Sequence, residues 1–445
     1  MIVYGIDLGT TSISGAAYDT DNNTVLKSET VENDSFITSG NEYERIQDVN
    51  FIIYKARRVL DSLIEEFPQG SRIGLTGQMH GILYLDREGQ ALGPLYTWQD
   101  RRGDLPLYGE ESVVEHFAAP EYMLASGYGL VTHIYNLRQG LIPEGAVSFC
   151  TIADYLGMKL TGRDTPLLHQ SNAASLGFWS VERAGFDLIR LREAGVEPDM
   201  LPVITARVEA LGSYRDRPVM TAIGDNQASY LGAAGQEGCG LLLNMGTGGQ
   251  ISVRADQPYR MKDIETRPYL QNDYLLVGAS LSGGRAYAAL ERFFRSYVRE
   301  AVGDAKSQYP VMEGLIKRIM DKDNEGIAPK VSTTFNGTRN DPSQRGSILG
   351  LTEDNLLPEY FIYGFLKGMA DELFEMYRKI KERTPVRADM IIASGNGLRR
   401  NEALRKICSE VFGLGLVMSE VEEEAAAGAA KSCLLSPGEA EPSAV

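Results

Sequence analysis

Apolar positions in the first hundred residues alternate between two spacings. Residues 2–8 and 13–19 are short apolar runs of β-rich composition, separated by Gly9-Thr10-Thr11-Ser12. Side chains alternate across a strand, so two such runs joined by a Gly-led turn predict a hairpin. Asp21-Asn22-Asn23 is a further turn signal and leads to a third strand near Val25-Leu26. The period then changes. Ile46, Val49, Ile53, Ala56, Val59, Leu60, Leu63, Ile64 and Phe67 recur at helical intervals and predict an amphipathic helix over 46–67. Arg72–Thr76 returns to a short buried strand, which ends in the polar loop Gly77-Gln78-Met79-His80-Gly81. Another hairpin follows and closes on Tyr96-Thr97-Trp98-Gln99-Asp100-Arg101-Arg102.

The stretch from about 110 to 215 reads as helices and irregular segments. Val219–Ile223 is again a strand, stopping at Gly224-Asp225-Asn226 before a helix of small residues. Leu243-Asn244-Met245-Gly246-Thr247-Gly248-Gly249-Gln250-Ile251-Ser252 then echoes Ile6-Asp7-Leu8-Gly9-Thr10-Thr11-Ser12-Ile13-Ser14. Each copy places a polar residue, then Gly-Thr and a small-residue turn, between two strands. Glycine permits the tight turn, and backbone N–H groups and hydroxyls then face outward together. Two copies, each opening about half of the chain, suggest a duplicated fold gripping one phosphate chain from both sides. Long helices are expected at about 283–302 and 358–383, and Met390–Ala393 is a buried strand running into Ser394-Gly395-Asn396-Gly397. The pattern divides the chain into domains at 1–230 and 231–435, with 436–445 as a disordered tail.

Composition narrows the function classes. The 445 residues suffice for two domains with full cores. A formal net charge of −16 argues against nucleic-acid and anionic-membrane partners. Cys150, Cys239, Cys408 and Cys433 lack CxxC spacing, and His116, His133 and His169 lack metal-ligand spacing. No secretory leader or membrane-spanning run is recognisable, so a cytoplasmic location is expected. The Gly-Thr loops are hairpin turns, so neither a Rossmann GxGxxG nor a Walker A motif is present. Ligands of open α/β sheets bind beyond the carboxyl ends of strands, where the loops at 77–81, 224–226 and 394–397 lie.

Taken in order, these motifs resemble the FGGY carbohydrate kinases over nearly the whole chain. Asp7–Ser12 is similar to the family's first phosphate motif and Gly246-Thr247-Gly248-Gly249 to its second. Gly224-Asp225-Asn226 resembles the segment carrying the catalytic aspartate. Gly395-Asn396-Gly397, with Asn401, resembles the adenosine motif. Asp154-Tyr155-Leu156, Leu160-Thr161-Gly162, Ser171-Asn172-Ala173-Ala174-Ser175, Gly364–Met369 and Glu424–Ala430 are further marks. Within the family, Gln78–Gly81 points to ketose kinases of the xylulokinase and sedoheptulokinase type. Thr97–Asp100 with Arg102, and Thr333–Arg339 with Asp341-Pro342, resemble the sedoheptulose subgroup. Two departures stand out: Gly248 replaces the usual serine after Gly-Thr, and Asn396 interrupts a run of glycines.

The resemblance implies an α/β fold of two actin-like (ribonuclease H-like) domains around an interdomain cleft. The implied reaction moves the γ-phosphoryl of ATP, with Mg²⁺, to the terminal hydroxyl of a ketose, foremost sedoheptulose to its 7-phosphate. Asp225 is the implied general base, although the same position also suits a helix N-cap. Asp7 is implied to hold Mg²⁺ through water, and its counterpart Asn244 is neutral. Gln78, Met79, His80, Trp98, Asp100 and Asn226 are candidates for reading the sugar, with Trp98 alternatively core and His80 a satisfied loop histidine. Gly9, Thr10, Thr11, Ser12, Gly246, Thr247, Gly248, Gly395, Asn396, Gly397 and Asn401 are candidates for ATP. Gly283 and Gly284 suit phosphate or adenosine contact, or equally plain packing. Arg101 and Arg102 have no assigned role, and the Glu420–Glu424 run reads as a helix start. The expected partner is a small sugar, and the chain is expected to be a monomer or homodimer. A non-kinase ATPase of the actin and Hsp70 scaffold is the other class, disfavoured by the two sugar-reading loops.

Overall fold

A computed structural model describes residues 1–119, 123–234, 240–303, 306–320, 326–338, 341 and 343–435. Cys239, Arg339, Pro342 and the expected tail lie outside these. The chain divides into two compact units: the first takes Met1–Gln236, Arg267–Tyr274 and the segment from Val421, and the second takes Glu237–Thr266 and Leu275–Glu420. The single break expected near 230 is thus replaced by an interleaved division, with the segment from Val421 in the first unit rather than with 231–435.

The main sheet of the first unit is built around Ile2–Leu8. This strand pairs antiparallel with Ser12–Asp19, which pairs antiparallel with Thr24–Glu32. On its other edge Ile2–Leu8 runs parallel to Ile73–Gly77, and Arg217–Met220 and Ile223–Gly224 both pair parallel with that strand. The expected strand over 219–223 is therefore two short ones, interrupted at Thr221-Ala222. The expected helix over 46–67 forms as Val49–Glu66, because Asp48 caps it by accepting the N–H of Phe51. Ile46-Gln47 becomes a short strand instead. Val49, Ile52, Ile53, Ala56, Val59, Leu60, Leu63 and Ile64 form its buried stripe.

The second unit repeats the plan. Leu241–Met245 pairs antiparallel with Gly249–Ala255 and parallel with Met390–Ser394, which runs parallel to Gly415–Met418. Tyr274–Ser280 flanks Gly249–Ala255, as Thr24–Glu32 flanks Ser12–Asp19 in the first sheet. Its long helices, Gly283–Val302 and Pro358–Arg383, lie where helical periodicity places them.

One helix of the first unit shows why glycine recurs there. Glu424–Ser432 packs on Asp225–Ala234 and on the strands of the first sheet, with backbone meeting backbone at glycines. A Cβ on Gly5 would lie 1.8 Å from the carbonyl oxygen of Ala426, and one on Gly74 1.8 Å from that of Ala429. A Cβ on Gly428 would meet the Ala228 carbonyl oxygen, also at 1.8 Å. Backbone contact at these points fixes the helix starting at Asp225 against the sheet and tolerates no added methyl group.

Candidate active site

In the first unit the Gly-Thr turn and the loops expected to read a sugar form one hydrogen-bonded set. Trp98 Nε1 donates to Thr10 Oγ1 at 2.9 Å, and Thr10 Oγ1 lies 3.4 Å from Gln78 Oε1. Gln78 Nε2 donates to Gln47 Oε1 at 2.8 Å, and Gln47 Nε2 returns to the Thr10 carbonyl at 2.9 Å. The turn is clamped from the other side by Asn33, whose Nδ2 donates to the Gly9 carbonyl at 2.8 Å. The Thr10 hydroxyl is thereby engaged by Trp98 and Gln78, while Thr11 is exposed and Ser12 half-buried. Gln78 and Met79 are buried, whereas the Trp98 ring is 48% exposed and is not a core residue. Gln47 and Asn33 carry no motif, so only tertiary structure reveals them.

Asp225 opens the helix Asp225–Ala234 directly after the strand Ile223–Gly224. Its carboxylate accepts the backbone N–H groups of Asn226 and Met79. Burial pushes its pKa up to about 6, with Arg267 and these two bonds pulling the other way. Asp7, near the end of Ile2–Leu8 in the same sheet, has one buried carboxylate oxygen with no hydrogen-bond partner. Burial first, then the charges of Asp225 and Glu423, raise its pKa to about 8. Glu423 precedes the helix Glu424–Ser432 and accepts from Thr30 Oγ1 at 3.0 Å. Arg267 and Glu423 were not singled out by sequence reasoning. Arg267 is carried on the segment Arg267–Tyr274, which Gln227 holds through the Pro268 carbonyl at 2.8 Å. Asn226 is buried in the first turn beside Asp225.

Asp100 departs from its expected role. It is fully buried, and both oxygens are saturated. Oδ1 accepts from Arg102 Nε at 2.7 Å and from the Arg102 backbone N–H at 3.1 Å. Oδ2 accepts from an Arg102 terminal nitrogen and the Arg45 backbone N–H, each at 3.1 Å. Arg102, 1% exposed, also donates to Asn136 Oδ1 at 2.6 Å and lies 4.3 Å above the Tyr96 ring. Asp100 therefore pins the loop behind Trp98, with no lone pair left facing a sugar.

In the second unit the turn Gly246–Gly248 is one residue shorter than its counterpart: Met245 pairs with Gly249, whereas Leu8 pairs with Ile13. Thr247 is exposed at its tip. Asn244 Nδ2 donates to Ser394 Oγ at 3.0 Å, tying the turn to the neighbouring strand. Gly283 and Gly284 take the packing role. A Cβ on Gly283 would sit 2.1 Å from the Gly248 carbonyl carbon, and the N–H groups of Gly284 and Arg285 donate to the Gly246 and Thr247 carbonyls at 3.1 and 3.0 Å. Gly395, at φ +86°, and Gly397 both pack on the Met245 carbonyl, where a Cβ would approach to 2.7 Å. Asn396 starts the short helix Asn396–Arg400. Asn401 caps the next helix, Glu402–Phe412, by accepting the Leu404 N–H at 2.9 Å. The glycines of both motifs thus shape one backbone-lined surface around the second turn.

Comparison with known proteins defines the class. Residues 2–108 match the N-terminal domain of the FGGY family of carbohydrate kinases, and residues 241–436 match its C-terminal domain. The chain belongs to this family: it is an ATP-dependent carbohydrate kinase with the two-domain α/β fold of the actin-like superfamily. It is 27% identical to sedoheptulokinase of Mus musculus and 25% identical to that of Homo sapiens, each match covering 96% of both chains. Its fold is similar to that of the xylulose kinase from Rhodospirillum rubrum, with a TM-score of 0.83 at 19% identity over 98% of this chain and 89% of that one. Among the described residues no helix is long and apolar enough to cross a membrane.

Proposed function

We propose that the protein phosphorylates the terminal hydroxyl of a ketose, with sedoheptulose as the leading substrate and Asp225 as general base. The observation that carries the chemistry is the Asp225 carboxylate, oriented by two backbone N–H groups at a strand end. It would take the proton of the sugar hydroxyl as that oxygen attacks the γ-phosphoryl group. His80, Gln78, Trp98 and Asn226 supply donors, acceptors and an apolar face for a polyol; Asp100 acts behind them. Thr11, Ser12 and Thr247, with the backbone of both turns, serve the phosphates. The glycine surface around Gly395 and Gly397 serves adenosine.

Mg²⁺ fits Asp7. The unpartnered buried oxygen and the crowd of like charges at Asp225 and Glu423 both call for a cation. Among the described residues no group of three or more His, Cys, Asp or Glu is arranged to hold a metal. That suits an ion held by one carboxylate, water and substrate phosphates. When bound, the ion compensates charge on the β- and γ-phosphate oxygens.

Sedoheptulose is favoured by the likeness to the two sedoheptulokinases over 96% of their lengths. A kcat/KM panel over sedoheptulose, D-xylulose, gluconate and glycerol tests the assignment. Sedoheptulose is expected to lead by about tenfold or more, the scale of one added or missing apolar group in a pocket and less than that of a lost hydrogen bond. A clear preference for another member moves the substrate while leaving the kinase reading intact.

A further inference from the structure

Ser171-Asn172-Ala173-Ala174-Ser175 is a sequence mark that none of the roles above uses. It forms most of the short helix Gln170–Ser175, and all of it except Ala174 is buried. Its polar atoms are directed to two places. Ser171 Oγ accepts the N–H of Gly224, the residue before Asp225, at 3.0 Å. Asn172 Nδ2 donates to the Ala222 carbonyl of the same approach at 3.2 Å. Ser175 Oγ instead accepts the backbone N–H of His80 at 3.1 Å, and the Ser175 carbonyl lies 2.7 Å from His80 Nδ1.

The direction of each bond follows from its partners. His169 Nδ1 accepts the Ser171 N–H at 3.2 Å, so it is an acceptor and also takes the Ser171 hydroxyl proton at 2.8 Å. Burial keeps His169 neutral by lowering its pKa to about 4. The Ser171 oxygen is therefore left with lone pairs for Gly224. A carbonyl can only accept, so His80 Nδ1 carries the hydrogen of this bond. His80 also has φ +75°, a conformation that side chains other than glycine seldom adopt. The two contacts to Ser175 and a parallel stack on Tyr128, centroids 4.4 Å apart, hold it there.

We propose that Ser171 and Ser175 are positioning residues that fix the base and the sugar-reading loop to one another. Ser171 acts on Asp225 through Gly224, and Ser175 acts on the sugar through His80. One rigid turn of helix thereby sets the separation between the atom that removes the proton and the group that reads a hydroxyl. This inference rests on the assignments of Asp225 and His80 made above.

The test is steady-state kinetics on Ser171→Ala and Ser175→Ala, with sugar and ATP varied separately. Small misplacement at a reacting centre costs up to about a hundredfold in rate. Ser171→Ala is expected to lower kcat about tenfold or more while the sugar KM stays within about threefold, the pattern of an interaction felt in the transition state. Ser175→Ala is expected to raise the sugar KM about tenfold with kcat within about threefold, the pattern of lost ground-state binding. The ATP KM should be unchanged in both. If Ser171→Ala does not fold, Ser171→Cys keeps a side-chain hydrogen-bonding atom but a weaker acceptor, and is expected to shift kcat in the same direction. Parallel changes of kcat and KM in both variants, or no change in either, overturn the proposal. Asp225→Asn, measured alongside, separates the two failures. If that variant keeps wild-type turnover, the base assignment has failed. If it is inactive while the serine variants show no split, only the brace has failed.

Discussion

Replacing Asp225 by asparagine is expected to lower kcat by about 10²–10⁴-fold, the range supplied by a positioned general base. The amide keeps the shape of the side chain, and its oxygen can still accept one of the two backbone N–H groups. What it loses is the ability to take a proton. Affinity for ATP should therefore stay within about twofold, since the groups proposed for adenosine lie elsewhere in the chain. The wild-type pH profile supplies a second reading of the same group. Asp225 must be ionised to act, and burial has raised its pKa to about 6. Activity is expected to be full above that value and to fall about tenfold per pH unit below it. Retained turnover in Asp225→Asn would remove this residue as base. A profile flat down to pH 4 would place the ionisation elsewhere.

Asp100→Ala is expected to cost about 3–5 kcal/mol of stability, the penalty for leaving a buried partner charge uncompensated. Arg102 and Asp100 are 1% and 0% exposed, so solvent screens little of this loss. Glu44 Oε1 remains 3.3 Å from one Arg102 nitrogen and holds the cost toward the lower end. The Arg45 backbone N–H would also lose its acceptor. Urea unfolding of the variant checks this. The same experiment separates the two readings of Asp100. A side chain that reads sugar would leave stability near wild type on removal and raise the sugar KM. One that pins the loop gives the opposite order of effects.

The two turns and their strands were legible because glycine, threonine and alternating apolar residues suffice to specify a hairpin. The duplicated sheet followed from the repeat. Asp225 was legible because a buried strand ends at it and a helix begins there. Asp100 misled because the sequence Trp98–Arg102 shows a carboxylate near an aromatic residue but not the fold of the loop. Only the structure reveals that Arg102 turns back two residues and saturates it. Glu423 and Arg267 were illegible for another reason. Glu423 looked like one of several acidic residues at a helix start. Its charge matters because Gly5 and Gly74 let that helix lie against the first sheet, where Glu423 bears on Asp7, more than 400 residues earlier in the chain. Arg267 bears electrostatically on Asp225 only because a short segment of chain returns to the first unit between two stretches of the second. No local pattern records such a return. The repeat also proved less symmetric than its letters: the second turn is shorter, and Asn244 bonds Ser394 where Asp7 keeps a bare oxygen.

The most direct test of the central claim is ADP release from ATP and Mg²⁺, measured with and without sedoheptulose, together with quantification of the sugar phosphate. Release should be slow without sugar and rise about a hundredfold or more with it, with one sugar phosphate formed per ADP. ATP turnover that no ketose or polyol changes would contradict the claim.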